Sequence, residues 1–166
     1  MSEILPEVPA TLTPLARAQI AVITPIACLI HRRSPQHMKR ILQKLSTGAR
    51  PATYDEAKRA RDEILTASAR CRGGSACLIR SLSVALLCRL RGTWPTWCVG
   101  VLAAPPFAAH AWVEADGEIV DEPLSQRDFR AFFKVSTRAQ ESEGQATYAR
   151  TSMTRSGNHL VATPEL

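Results

Sequence analysis

Cys77-Leu78-Ile79-Arg80-Ser81-Leu82-Ser83-Val84-Ala85-Leu86-Leu87-Cys88-Arg89-Leu90-Arg91-Gly92 reads as one helix closed by a glycine. Its apolar residues Leu78, Ile79, Leu82, Val84, Ala85, Leu86, Leu87 and Leu90 cover nearly the whole circumference. A helix apolar all round is buried, so this one is expected at the centre of the domain. Arg72-Gly73-Gly74-Ser75 breaks the chain ahead of it, with Ser75 the expected N-cap. Beyond Gly92 the period changes. Thr96 to Val101, Ala109 to Ala115 and Glu118 to Asp121 read as strands, the last two joined by Asp116-Gly117, a strong two-residue hairpin signal.

Upstream, the signals are helical. Residues 1–12, with Pro6 and Pro9, read as an extended arm. Leu15, Ile20, Ile23 and Ile26 follow at helical spacing up to His31-Arg32-Arg33, and Pro25 is expected to kink or interrupt that helix. Ser34-Pro35 opens a second helix carrying Met38, Ile41, Leu42 and Leu45 and stopping at Gly48. Thr53 and Glu56 form a T-x-x-E capping box for a third, running toward Cys71. A short helix is predicted around Asp128 to Phe133, and a polar tail over 136–166. The fold class is therefore α+β, N-terminal helices followed by a small antiparallel sheet. One domain spans 13–135, helical over 13–70 and with its core over 71–135.

Composition agrees with one packed unit. The chain has 166 residues, 45% hydrophobic and 22% charged, enough to bury a core; aromatics are only 5%, so the core is mostly aliphatic. The uncharged stretch Ala18 to Ile30 is shorter than the ~20 residues of a membrane span and reads as a core helix. Glu3 and Glu7 stand where a secretory signal has basic residues, which makes the cytoplasm the expected compartment. Residues 1–92 hold 15 Lys and Arg against 6 Asp and Glu, and residues 93–166 hold 6 against 9. No aromatic residues interleave with the basic ones, so nucleic acid is not an expected partner. The cysteines, at 28, 71, 77, 88 and 98, are odd in number and form no CxxC pair, against a disulfide framework or a zinc ribbon.

Most of these cysteines are expected to be small buried hydrophobes. Cys77 differs because it sits in the first turn of the central helix. The positive end of the helix dipole there favours a thiolate, and free backbone N–H groups can hold an oxyanion. His110 lies on a strand between two small alanines. If Asp116-Gly117 is a two-residue turn, Trp112 opposes Asp121, and His110 and Asp121 form a diagonal pair on one face. A carboxylate there would orient the imidazole toward the thiol.

Cys77-Leu78-Ile79-Arg80-Ser81-Leu82, Leu90-Arg91-Gly92, Val99-Gly100-Val101, Pro106-Phe107-Ala108-Ala109-His110-Ala111-Trp112-Val113-Glu114 and Asp116-Gly117 through Asp121 resemble the leader peptidases of lasso peptide biosynthesis. These are transglutaminase-like, papain-like cysteine peptidases, the B-protein C-terminal family. The resemblance covers about residues 70 to 125. It implies a catalytic triad of Cys77, His110 and Asp121, with Trp112, Ser75 and Gly74 on the substrate side and no cofactor or metal. It also implies removal of the leader region of a ribosomally made precursor peptide, after which a separate ATP-dependent cyclase closes the product. The chain is too short to add a leader-recognition domain, so a separate small recognition protein is the expected partner. Gln36 and Gln43 are possible second oxyanion donors. Rival readings are an amide-forming acyltransferase using the same three residues, and a non-catalytic leader-binding scaffold. Metal binding by Cys71, Cys77, Cys98 and His110 fits no compact zinc spacing.

Overall fold

The computed structural model describes residues 11–105, 107–121 and 128–142. Among the described residues the elements run α1 Pro14–His31, α2 Pro35–Ser46, β1 Arg50–Pro51, α3 Tyr54–Ala67, α4 Ala69–Arg72, α5 Cys77–Leu90, β2 Thr93–Trp94, β3 Thr96–Leu102, β4 Ala109–Ala115, β5 Glu118–Ile119 and β6 Phe129–Val135. The main sheet is antiparallel in the order β5-β4-β3-β6, and β1 and β2 form a small parallel pair. Helices first and then an antiparallel sheet is the expected α+β architecture.

Helix α5 is the hub. Every residue from Arg80 to Cys88 is buried, and the helix packs against α1, α3 and β4. Its Leu82, Val84 and Leu87 meet Ile20, Ile23 and Ala27 of α1, Ala57, Ala60 and Ile64 of α3, and Trp97, Val113 and Val135 of the sheet in one core. Each fully buried leucine contributes about 1.5–3 kcal/mol of transfer free energy, so a helix buried on all sides anchors the rest. The hairpin also forms as expected. Asp116 and Gly117 take φ of 50° and 80°, Ala115 pairs with Glu118, and the Asp116 carboxylate accepts the Tyr54 N–H at 2.7 Å.

Several expectations change. Helix α1 runs unbroken through Pro25, because Ile20, Ile23, Ala27 and Ile30 on both sides of the proline are fixed in the core. It is the one helix among the described residues long and apolar enough to cross a membrane, and one face of it packs on α5. Leu15 and Ile26, which share its apolar period, point outward. The third helix stops at Ala67, and Ser68 separates it from the single turn α4. Residues 129–135 form strand β6 instead of a helix, since β3 has a second edge whose backbone groups need partners. The expected tail starts as ordered structure: Thr137 caps a helical turn over 138–142, bonding the Gln140 N–H at 3.3 Å while Gln140 Oε1 accepts the Thr137 N–H at 2.8 Å. The arm before Thr11 and the tail after Ser142 lie outside the described residues.

Candidate active site

Cys77 begins α5, as its position in the sequence implied, but without the expected cap. The N-cap position is Ala76, which has no capping side chain, and Ser75 and Gly74 are exposed in the preceding loop. The first N–H to close onto the helix is that of Arg80, on the Ala76 carbonyl at 2.8 Å. The amides of Cys77, Leu78 and Ile79 therefore have no intrahelical acceptor and point out of the helix end.

The thiol meets strand β4 at an edge that, among the described residues, β5 does not pair. Strand β5 is only two residues long and pairs with Glu114 and Ala115. One further bond, Val120 N–H to the Val113 carbonyl at 3.0 Å, ends the pairing. Backbone groups two residues apart on a strand point to the same side, so Ala111 N–H faces the edge that β5 has left. The half-buried Cys77 sulfur faces the His110 side chain and the Ala111 N–H, and both favour its thiolate. Burial pushes that thiol up. The facing His110 side chain, the Ala111 N–H and the nearby charges of His110 and Arg80 outweigh it and bring the thiol below its ordinary value.

His110 is braced by rings. Its imidazole stacks on Phe129 at 5.1 Å and on Trp112 at 6.1 Å, and those two stack on each other at 5.0 Å. Trp112 is only 2% exposed, so it backs His110 and is not a substrate-facing wall. Its Nε1 donates to Glu114, whose other oxygen accepts from Lys134 Nζ. Gly100 opposes His110 on β3. A Cβ there would lie 1.9 Å from the Arg130 carbonyl oxygen, at the register shift that carries β6 past β3. Only glycine permits that approach, and β6 delivers Phe129 to the imidazole.

Asp121 does not join this pair. Extending the β4–β5 register would set it opposite Trp112, but the pairing stops at Glu114 and Ile119, and at φ 50° the chain leaves the strand at Asp121. Its carboxylate accepts from Arg61 Nη1 at 2.8 Å and pairs with Lys58 Nζ at 3.2 Å, both on α3, and among the described residues it makes no hydrogen bond to His110. The physical reason is Arg61, whose side chain is 4% exposed and draws a carboxylate toward it. Gln36 and Gln43 sit exposed on α2.

Reasoning from sequence missed three contributors. Arg80 stands three residues after Cys77, so helical spacing alone could have placed it on the Cys77 face. It is buried and bonds the Cys71 carbonyl at 3.1 Å. Phe129 and the close approach at Gly100 carry no local signal. Of the other cysteines, Cys88 is pushed by burial up to about 12, and burial raises Cys98 further. Among the described residues no cluster of His, Cys, Asp and Glu is placed to hold a metal ion.

A thiol with a lowered pKa, an imidazole beside it and helix-start amides without an intrahelical acceptor together suit nucleophilic attack on a carbonyl carbon. No curated protein and no solved structure matches the chain. A family comparison matches the transglutaminase-like superfamily over residues 20–157, which takes in both the helical half and the sheet. The chain belongs to the transglutaminase-like superfamily, a fold that includes cysteine peptidases and acyltransferases.

Proposed function

We propose that this chain is a cysteine peptidase that removes the leader from a ribosomally made precursor of the lasso peptide type. The observation that carries the chemistry is the Cys77 thiol, held below its ordinary value beside His110 at the uncapped start of α5. The leader-peptidase part rests on the sequence resemblance around Cys77, His110 and the Asp116-Gly117 hairpin.

In this reading the Cys77 thiolate attacks the scissile carbonyl and forms a tetrahedral intermediate. The free amides at the start of α5 hold its oxyanion. His110 gives its proton to the departing amine, leaving a thioester. It then takes a proton from water, which attacks the thioester and releases the acid and the free thiol. Asp121 enters as a positioning residue: tied to Arg61 and Lys58, it holds the exit of β5 against α3 and keeps the β4 edge clear for the thiol. The exposed Gly74 and Ser75 border the approach to Cys77, where substrate would lie. A small leader-recognition protein raises the local concentration of precursor, and the ATP-dependent cyclase acts on the product. The site of action in this reading is the cytoplasm.

The test is cleavage of a precursor peptide encoded beside this chain, followed by mass spectrometry, with and without a small recognition protein encoded with it. Release of an intact leader, much faster with that protein and absent in Cys77→Ala, is the expected result. A product joined to an added amine instead of water would make the chain an acyltransferase. An unprocessed precursor with every component present would leave the scaffold reading.

A further inference from the structure

We infer that a groove between α1 and the α3–α4 segment, apart from the Cys77 site, is a docking site for an acidic peptide segment with apolar side chains, supplied by a partner chain. The groove has a volume of about 890 Å³, within the range of specific binding sites. Its apolar surface includes Ile20 and Leu29, and Leu29 is 57% exposed. Leu29 continues an outward apolar stripe with Val22 and Ile26 on the same helix. Exposed apolar area of this extent on one helix marks a surface that is covered by something.

Charge says what covers it. Arg17, Arg32 and Arg70 line the groove, and among the described residues no Asp or Glu does. Among the described residues none of these three is in an ion pair, whereas Arg50, Arg61, Arg91, Lys58 and Lys134 each have a carboxylate. Three arginines left open around one apolar groove are complementary to a segment carrying several carboxylates. Thr24 also lines the groove, and its hydroxyl has no hydrogen-bond partner among the described residues. A peptide fits better than a bilayer, because the surface is a concave cleft between two elements. The Arg70 wall also lies seven residues before Cys77, so a seated peptide follows the segment that leads into the Cys77 loop. The inference does not rest on the peptidase reading.

The experiment measures fluorescence anisotropy of a labelled synthetic peptide of about twelve residues, with Glu and Leu at helical spacing, against the full chain. A counterpart with Lys for Glu serves as the control. Expected is binding of the Glu peptide at least about tenfold tighter than the Lys peptide, weakening with salt. Arg17→Glu/Arg32→Glu/Arg70→Glu lowers it about tenfold or more, and Leu29→Glu also weakens it. Arg40→Glu/Arg59→Glu/Arg138→Glu, with the same change in charge, leaves it within about twofold. The thiol of Cys28, in the groove with Arg70 Nη1 at 3.6 Å, reports occupancy: bound Glu peptide slows its alkylation, read by mass mapping. Equal binding of the Lys peptide, unprotected Cys28, or an unaffected Arg17/Arg32/Arg70 variant overturns the proposal. So does binding that appears only after residues 1–10 are removed, which would make the chain's own arm the occupant. Tighter binding to phosphatidylserine vesicles than to the Glu peptide, lost in the same variant, would make the surface a membrane contact instead.

Discussion

The two ends of α5 are finished in opposite ways. At the C-terminal end, the Arg91 N–H reaches the Leu87 and Cys88 carbonyls at 3.2 and 3.0 Å, and Gly92 N–H reaches Arg89 at 3.0 Å. Thr93 Oγ1 donates to the Cys88 carbonyl at 3.3 Å, and Gly92 turns the chain away at φ 87°. At the N-terminal end an alanine stands where a cap belongs, and the amides of Cys77, Leu78 and Ile79 have no intrahelical acceptor. Each end holds a cysteine. Cys88, sealed among apolar neighbours, is pushed up to about 12, while Cys77, facing His110, Ala111 N–H and Arg80, is brought down. The helix and the residue type are the same, so the difference is environmental. The end that sacrifices capping is the end that can do chemistry.

The largest expected effect separates those two thiols. Cys77→Ala should lower turnover of a cleavable substrate by about 10³-fold or more. Cys88→Ala should leave turnover within about twofold and instead cost about 1 kcal/mol of stability in a denaturant melt. Turnover lost at Cys88 and kept at Cys77 would reverse the comparison. Iodoacetamide sharpens it. Because the Cys77 value is lowered, its thiolate forms, and its alkylation rises, at a lower pH than for an ordinary cysteine, while Cys88 stays unmodified in the folded protein. His110→Ala should move the Cys77 profile to higher pH. First labelling at Cys88 or Cys98 would break the argument.

Asp121 tests how far the open end extends. Asparagine keeps the positive φ, so Asp121→Asn removes only the charge. As a residue held on α3, it should cost about tenfold in turnover, with the pH profile of Cys77 alkylation unchanged. A loss on the order of 10²–10⁴ together with a shifted profile would show that its carboxylate orients His110 during turnover, as in a full triad. At the closed end, Gly92→Ala forces a side chain into φ 87° and should cost about 1 kcal/mol, a few degrees in Tm, with turnover untouched.

The smallest effect belongs to an ordinarily capped helix start. In α3, Thr53 Oγ1 accepts the Glu56 N–H at 3.3 Å and Glu56 accepts the Thr53 N–H at 3.0 Å. The Arg50 side chain, then the Thr53 N–H, hold the Glu56 carboxyl down to about 2. A depressed carboxyl contributes stability above its unfolded value, near 4.5, that is lost as pH falls through 2. Glu56→Gln should therefore lower stability slightly at neutral pH and flatten the acid limb in that window, the two proteins converging as pH falls toward 2. An unaltered acid limb would remove Glu56 from the account of the cap.

The sequence by itself determined the elements whose signals are local. Asp116-Gly117 can only turn with both residues at positive φ, Thr53 and Glu56 satisfy each other's backbone three residues apart, and the apolar circumference of α5 requires burial. The meeting of Cys77 with the His110 strand was legible too, through a resemblance in the motifs around them. Only the tertiary structure decided what depends on edges and distant partners. The free edge of β3 drew residues 129–135 into a strand and brought Phe129 against His110. The early end of β5 exposed Ala111 N–H to the thiol, and buried Arg61 took the Asp121 carboxylate that the hairpin register had aimed at His110. The reason is physical: a backbone turn is fixed by torsions within a few residues. A carboxylate goes to whichever cation the fold brings nearest and buries, and no spacing along the chain encodes that.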